Sequence, residues 1–120
     1  MSTLKVNTIL NAAGTGTPAI DGLAKAWVNF NGTGTVAIRA AYNVSSITDN
    51  GTGDYSINFT SPMADINYSL AGSASRASSA NTSFVMTLDA DFSTSSARII
   101  TNTGGGTSID SVKTSVAIFR

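Results

Sequence analysis

Asp89 and Asp91 are the two carboxylates closest together along the chain. Residues two apart on an extended strand share a face. Two carboxylates on one face could hold a calcium ion or divide acid and base roles at a glycosidic bond. The solvated outer face of a strand accounts for them more simply, with Phe84, Met86 and Leu88 facing inward. Asp49, Asn50 and Asp54 resemble part of a calcium loop, but they lack its alternating oxygen donors and closing Glu. A hairpin turn explains the same residues. Thr103-Gly104-Gly105-Gly106-Thr107 is rich in glycine like a phosphate cradle. Without a Lys-Ser/Thr pair or a following helix, it reads as a turn. Trp27, Tyr42, Tyr55 and Tyr68 could stack on sugar rings wherever they are exposed, and most are expected in the core. Arg76 could meet an anionic sugar, or serve only as a solubilising charge. Six Asn-x-Ser/Thr triplets start at Asn31, Asn43, Asn50, Asn58, Asn67 and Asn81. A chain this rich in Ser and Thr makes such triplets by composition, and no glycans are assigned to them.

The missing residue types narrow the chemistry further. The chain has no His, no Cys, no Glu and no Gln. Without His it lacks the commonest general base, metal ligand and neutral-pH switch. Without Cys it has no disulfides, thiolate nucleophiles or sulfur-held metals. A Ser–Lys pair would need Lys5, Lys25 or Lys113 desolvated beside a serine, and no pattern supports one. The expectation is a protein that is not an enzyme, with no cofactor and no metal. A glycan-modifying enzyme built on Asp89 and Asp91 is the weakest alternative. Seven basic and seven acidic residues give a net charge of zero. That argues against nucleic acid, whose phosphates need a cationic surplus, and gives little attraction to an anionic membrane. No apolar run approaches the roughly 18 residues of a membrane helix, so no membrane insertion is expected. The opening Met1–Leu10 is interrupted by polar residues and does not read as a signal peptide.

The elements that must position these residues read as strands. A length of 120 residues suits one domain. Charged residues make up only 12% of the chain, so hydroxyls and amides must cover much of the surface. Small domains of this kind often hide further surface in an oligomer. Residues 1–23 form an expected N-terminal arm. In it a short alternating piece, Leu4–Ile9, could pair as a strand, followed by the turn formers Asn11–Pro18. The arm has too little apolar area to fold alone and is expected to dock on a neighbouring chain or partner. From residue 24 to 120 the pattern is an antiparallel β-sandwich or barrel of about seven strands. Ala26–Phe30 leads into the turn Asn31–Gly34. A long extended run from Thr35 through Tyr42, Val44 and Ile47 follows, with a bend or bulge expected at Ala40-Ala41. Asp49–Gly53 is the strongest hairpin signal. Asp54–Thr60 alternates cleanly, with Tyr55, Ile57 and Phe59 inward. Asn67–Ala71 is a further strand, and Gly72–Thr82 reads as a long exposed loop. Strands over residues 83–90, 97–101 and 111–120 complete the set.

Residues 24–39 and 42–60, with the opening Ser2–Ile9 and the ending Ser115–Phe119, resemble bacteriophage tail-fibre and related virion proteins, notably of phages infecting aquatic bacteria. The resemblance touches most of the chain and is weakest across residues 71–107. It implies a homotrimeric, β-rich virion protein on the phage particle surface, assembled in the host bacterial cytoplasm. Its implied partners are other virion proteins of tail or capsid and, at a distance, host surface glycan. Within such an assembly the arm would anchor through Leu4, Val6 and Ile9. Trp27, Val116, Ile118 and Phe119 are the candidate subunit interface. Ser75, Arg76, Ser78 and Asn81 are the candidate receptor-facing loop. A fibre or knob for host attachment is the first reading, and a capsid decoration or cement protein the second.

Overall fold

The computed structural model describes residues 2–3, 5–10, 12–15, 22–77, 83–87 and 89–120, with the backbone alone for Met86 and Asp89. Eight strands form: β1 Ala24–Asn31, β2 Ala37–Tyr42, β3 Val44–Gly51, β4 Asp54–Phe59, β5 Ser69–Ser75, β6 Ser83–Met86, β7 Ser96–Thr103 and β8 Lys113–Phe119. They pair antiparallel throughout, in two four-stranded sheets. The first sheet runs β2-β1-β8-β5 and the second β3-β4-β7-β6. The protein is a β-sandwich.

Period-two alternation builds its core. Ala26, Val28 and Phe30 of β1 and Val116 and Ile118 of β8 meet Tyr55, Ile57 and Phe59 of β4 and Ala97 and Ile99 of β7. Phe30 and Tyr55 meet edge to face across the two sheets, with ring centroids 5.1 Å apart. Tyr68 closes one end, edge to face with Phe59 and tilted against Phe92, its hydroxyl shared between the Ser93 and Ser96 carbonyls at 3.0 and 3.2 Å. The Tyr55 hydroxyl lies 3.0 Å from the Gly32 carbonyl and 2.9 Å from Asp110 Oδ1. Burial and the neighbouring Asp110 carboxylate push its pKa well above the ordinary phenol value.

The extra strand comes from Asn43. The expected single run over residues 35–47 breaks there, because Asn43 takes φ +53° and turns the chain from the first sheet into the second. Its amide donates to the Lys25 and Ser61 carbonyls at 3.0 and 3.1 Å, and its Oδ1 accepts from Ser61 N at 2.7 Å. The bulge expected at Ala40-Ala41 sits one residue earlier: Asn29 pairs with Ala40 and Phe30 with Ile38, so Arg39 is the extra residue.

Three other expectations give way. Residues 72–75 are not loop; they extend β5 along β8, from Gly72 opposite Val116 to Ser75 opposite Lys113. Backbone hydrogen bonds need no apolar side chains, so a Ser/Ala segment can complete an open edge. The strand expected over residues 83–90 ends at Met86, and Asp89–Asp91 forms a single 3-10 turn. In β6, Val85 packs against the core while Phe84 is exposed, the reverse of the expected facing. Leu88 lies outside the described residues. Along the arm, residues 5–10 form no strand.

Candidate functional site

The outer face of the first sheet holds the main exposed aromatic surface of the described residues. Alternation sends Val28, Val116 and Ile118 into the core, and so sends Trp27, Asn29, Ser115 and Ala117 outward. Strand register then sets the rows. Ala71, Ala117, Trp27 and Tyr42 lie abreast across β5, β8, β1 and β2. Beside them lie Ser73, Ser115, Asn29 and Ala40. The Asn29 amide donates to Ser115 Oγ at 2.9 Å. Trp27 is 40% exposed and Tyr42 58%, and Phe119 also stands partly in solvent. Between Trp27 and the small residues of β8 and β5 runs a shallow groove of about 490 Å³. The face is aromatic on its β1–β2 half and flat on its β8–β5 half.

Of the expected interface residues, Trp27 and Phe119 lie on the surface. Val116 and Ile118 do not: at 3% and 1% exposed they belong to the protomer's own core. One strand cannot turn the same side chains both to the other sheet and to a neighbouring chain. The residues that β8 presents outward are Ser115 and Ala117. Their small size hides them from a search for apolar contacts, although the parity of the alternation identifies them.

The outer face of the second sheet is a mesh of amides and hydroxyls. Asn58 donates to Ser46 Oγ and Thr48 Oγ1 at 3.0 and 2.9 Å. Asn50 donates to Asp54 Oδ1 and Ser56 Oγ at 3.2 and 2.9 Å. Arg98 forks onto Asp54 at 2.8 and 2.5 Å and reaches Asp91 at 3.7 Å. Its guanidinium holds the Asp54 carboxyl below the usual carboxylate range. Asp49 accepts from Gly51 N at 3.0 Å. The three oxygen donors singled out around residue 50 are thus engaged in a hairpin. The pair Asp89 and Asp91 expected on one strand face is not on a strand, because the backbone of Asp89–Asp91 forms a 3-10 turn. Among the described residues no three acidic groups gather as metal ligands would. Four of the triplet asparagines, Asn31, Asn43, Asn50 and Asn58, use their amides inside the fold.

The remaining expected positions are scattered. Ser75 is in edge strand β5, Arg76 is half-buried beyond it, and Ser78 and Asn81 lie outside the described residues. Thr103–Thr107 is a tight turn, closed by Thr103 N donating to Thr107 O at 2.8 Å. Of the four rings expected to meet a sugar, Tyr55 and Tyr68 are buried and Trp27 and Tyr42 are exposed. On the arm, Val6 is 51% and Ile9 58% exposed, and Leu10 is similarly bare; Leu4 lies outside the described residues. A second depression, of about 260 Å³, is lined by Lys25, Asn43, Met63 and Arg120. There Arg120 forks onto Asp65 at 2.9 and 2.7 Å, and the guanidinium lowers the Asp65 pKa to about 2. No helix of the described residues is long and apolar enough to cross a membrane. Compared with protein-family models, curated proteins and solved structures, the chain matches none.

Proposed function

We propose that this chain is a structural component of a bacteriophage particle, held by its N-terminal arm and presenting its β-sandwich outward as a fibre or knob for host attachment. The homotrimer is the assembly that the resemblance implies. The observation that carries the structural role is the bare arm: Val6, Ile9 and Leu10 each leave about half their surface in water. Apolar side chains on an extended segment gain free energy only when something else covers them, roughly 25 cal/mol per Å². A segment of this kind docks by strand addition or by threading between subunits. On the second sheet Asp54 and Arg98 are tied to one another and Asp49 to its turn, which favours a scaffold over a catalyst.

Particles assembled without the chain provide the test. Purified wild-type protein is expected to rebind them and to restore adsorption to host cells. The double variant Val6→Asp/Ile9→Asp is expected to keep its melting temperature and lose rebinding. Rebinding that hardens the particle while leaving adsorption unchanged would move the assignment to head decoration. Failure of the wild-type chain to bind any particle would end the virion reading.

A further inference from the structure

We propose that Asn50 is a site of self-modification, where the Gly51 nitrogen attacks the Asn50 side-chain amide and the ring so formed opens in water to aspartate and isoaspartate. The tetrapeptide Asn-Gly-Thr-Gly occurs twice, at residues 31–34 and 50–53. Asparagine is a labile residue, and a following glycine has no side chain to shield its nitrogen. Both copies therefore carry the reactive pair, and the fold closes one and leaves the other open.

At Asn31-Gly32 the nucleophile is locked. Gly32 is buried, and its nitrogen donates to the Ser111 carbonyl at 2.8 Å. Its own carbonyl accepts from the Tyr55 hydroxyl at 3.0 Å. The Asn31 side chain is turned away and held at both ends. Its amide donates to the Thr33 carbonyl at 2.7 Å, and its Oδ1 accepts from the Thr33 hydroxyl at 2.8 Å. Ring closure there needs the backbone of Gly32 to leave Ser111 and the Tyr55 ring that covers it.

Asn50-Gly51 has no such cover. Asp49 pairs with Tyr55 and Gly51 with Asp54, so Asn50 is the extra residue of a bulge. Both Asn50 and Gly51 are exposed. The Gly51 nitrogen donates to Asp49 Oδ1 at 3.0 Å, a side chain of its own strand. Asn50 Nδ2 donates to Asp54 Oδ1 at 3.2 Å and Ser56 Oγ at 2.9 Å. All three bonds lie at the surface, where water replaces them at little cost.

A base in solution takes the proton of Gly51 N. The nitrogen's electron pair then bonds to Asn50 Cγ, the bond from Cγ to Nδ2 breaks, and Nδ2 leaves as ammonia. Water opens the cyclic imide at either carbonyl. Opening at Cγ leaves aspartate, and opening at the backbone carbonyl leaves isoaspartate, which carries one more carbon in the main chain. Either product sets a second carboxylate beside Asp54, in place of the amide that donated to it. The chain would pass from seven acids against seven bases to eight against seven, so a neutral protein becomes anionic with age. None of this depends on the virion reading.

The test is to age the folded full chain in mildly alkaline buffer and digest it with trypsin. Cleavage after Lys25, Arg39 and Arg76 puts Asn31 and Asn50 in different peptides. Mass spectrometry is expected to find Asn50 converted at least about tenfold faster than Asn31, the factor that one buried backbone hydrogen bond contributes. In urea the two should convert at similar rates. Asn50→Ser should stay free of the acidic form that the wild-type chain accumulates on ion exchange. Conversion of Asn50 no faster than that of Asn31 in the folded chain overturns the proposal. So does a difference that persists undiminished in urea, or an Asn50→Ser chain that turns acidic at the wild-type rate.

Discussion

Gly53 shows how much a single residue can decide in a chain of this size. It sits at the end of the β3–β4 turn at φ +67° and is buried, although Gly51 and Thr52 beside it are exposed. Its carbonyl accepts from Thr101 N at 2.7 Å, and its amide donates to Asp110 Oδ1 at 2.8 Å. A methyl group added there would stand 2.6 Å from Thr101 O and 2.7 Å from Ile109 N. Both are backbone atoms held in their own hydrogen bonds, so neither can swing aside. Gly53→Ala therefore combines a disfavoured φ with overpacking, a cost of about 3 kcal/mol or more. The melting temperature should fall by roughly 10–15 °C. Gly104→Ala, where the added methyl would meet open space, should leave it within about 2 °C of the wild-type value. Equal effects at the two positions would show that Gly53 is not pinned as described. Asn50-Gly51-Thr52-Gly53 and Asn31-Gly32-Thr33-Gly34 share one tetrapeptide, but they bury different glycines. Gly32 lies under the Tyr55 ring, where an added Cβ would overlap the hydroxyl.

At the scale of elements, the sandwich depends on the corner at Asn43. Asn tolerates the left-handed region better than other residues with a side chain, because its short amide can bond locally. Here the amide and carbonyl oxygen bond to Lys25 and Ser61, tying β1 and the end of β4 to the point where the chain changes sheets. Asn43→Gly keeps the φ angle and loses those bonds, so it should cost about 2 kcal/mol. Asn43→Ala also takes on the strain and should cost about 3 kcal/mol. Urea denaturation of the two variants measures the difference, and equal midpoints would mean that strain has no part in it. The sequence does show a corner-permissive residue at 43, but nothing in Tyr42-Asn43-Val44 distinguishes it from one inside a continuous strand. The same limit explains β6. Alternation of Phe84, Met86 and Leu88 picks one face, and Gly72 picks the other, because only a glycine leaves room for Val85. That choice depends on a strand of the opposite sheet, which local periodicity does not register. Strands with strong alternation and full burial, such as Asp54–Phe59, were legible because both faces are settled locally. The candidate site was half legible: Trp27 and Phe119 stand where an apolar surface was expected. Its other half is made of Ser and Ala, whose role exists only in the register.

For the whole molecule, the absence of His and Cys shapes how stability responds to pH. No side chain of the unfolded chain titrates between about pH 5 and 9, so the side chains add little pH dependence across that window. On the acid side, Asp54 and Asp65 are held below their ordinary value by Arg98 and Arg120. A lowered folded pKa gives stability that is present above about 3.8 and is lost as pH falls through the folded value. Asp65 reaches that point near pH 2, and both carboxylates are solvated enough that the loss should be gentle. On the alkaline side, burial raises the pKa of Tyr55 and Tyr68 above the ordinary phenol value. A raised folded pKa gives stability that is complete below about 10 and is lost as pH rises toward the folded value. Tyr55 is packed against Phe30 and beside Asp110, so its phenolate has nowhere to be solvated without opening the sandwich. The melting temperature should therefore stay level from about pH 5 to 9, decline shallowly below 4 and fall steeply above 10. Tyr55→Phe should lower the plateau by about 1–2 kcal/mol, since the buried Gly32 carbonyl loses a donor, and should flatten the alkaline fall. Calorimetry of the two proteins across this range decides the matter. A transition inside the plateau, or an alkaline limb unchanged by Tyr55→Phe, would mean that some other group governs the stability of the sandwich.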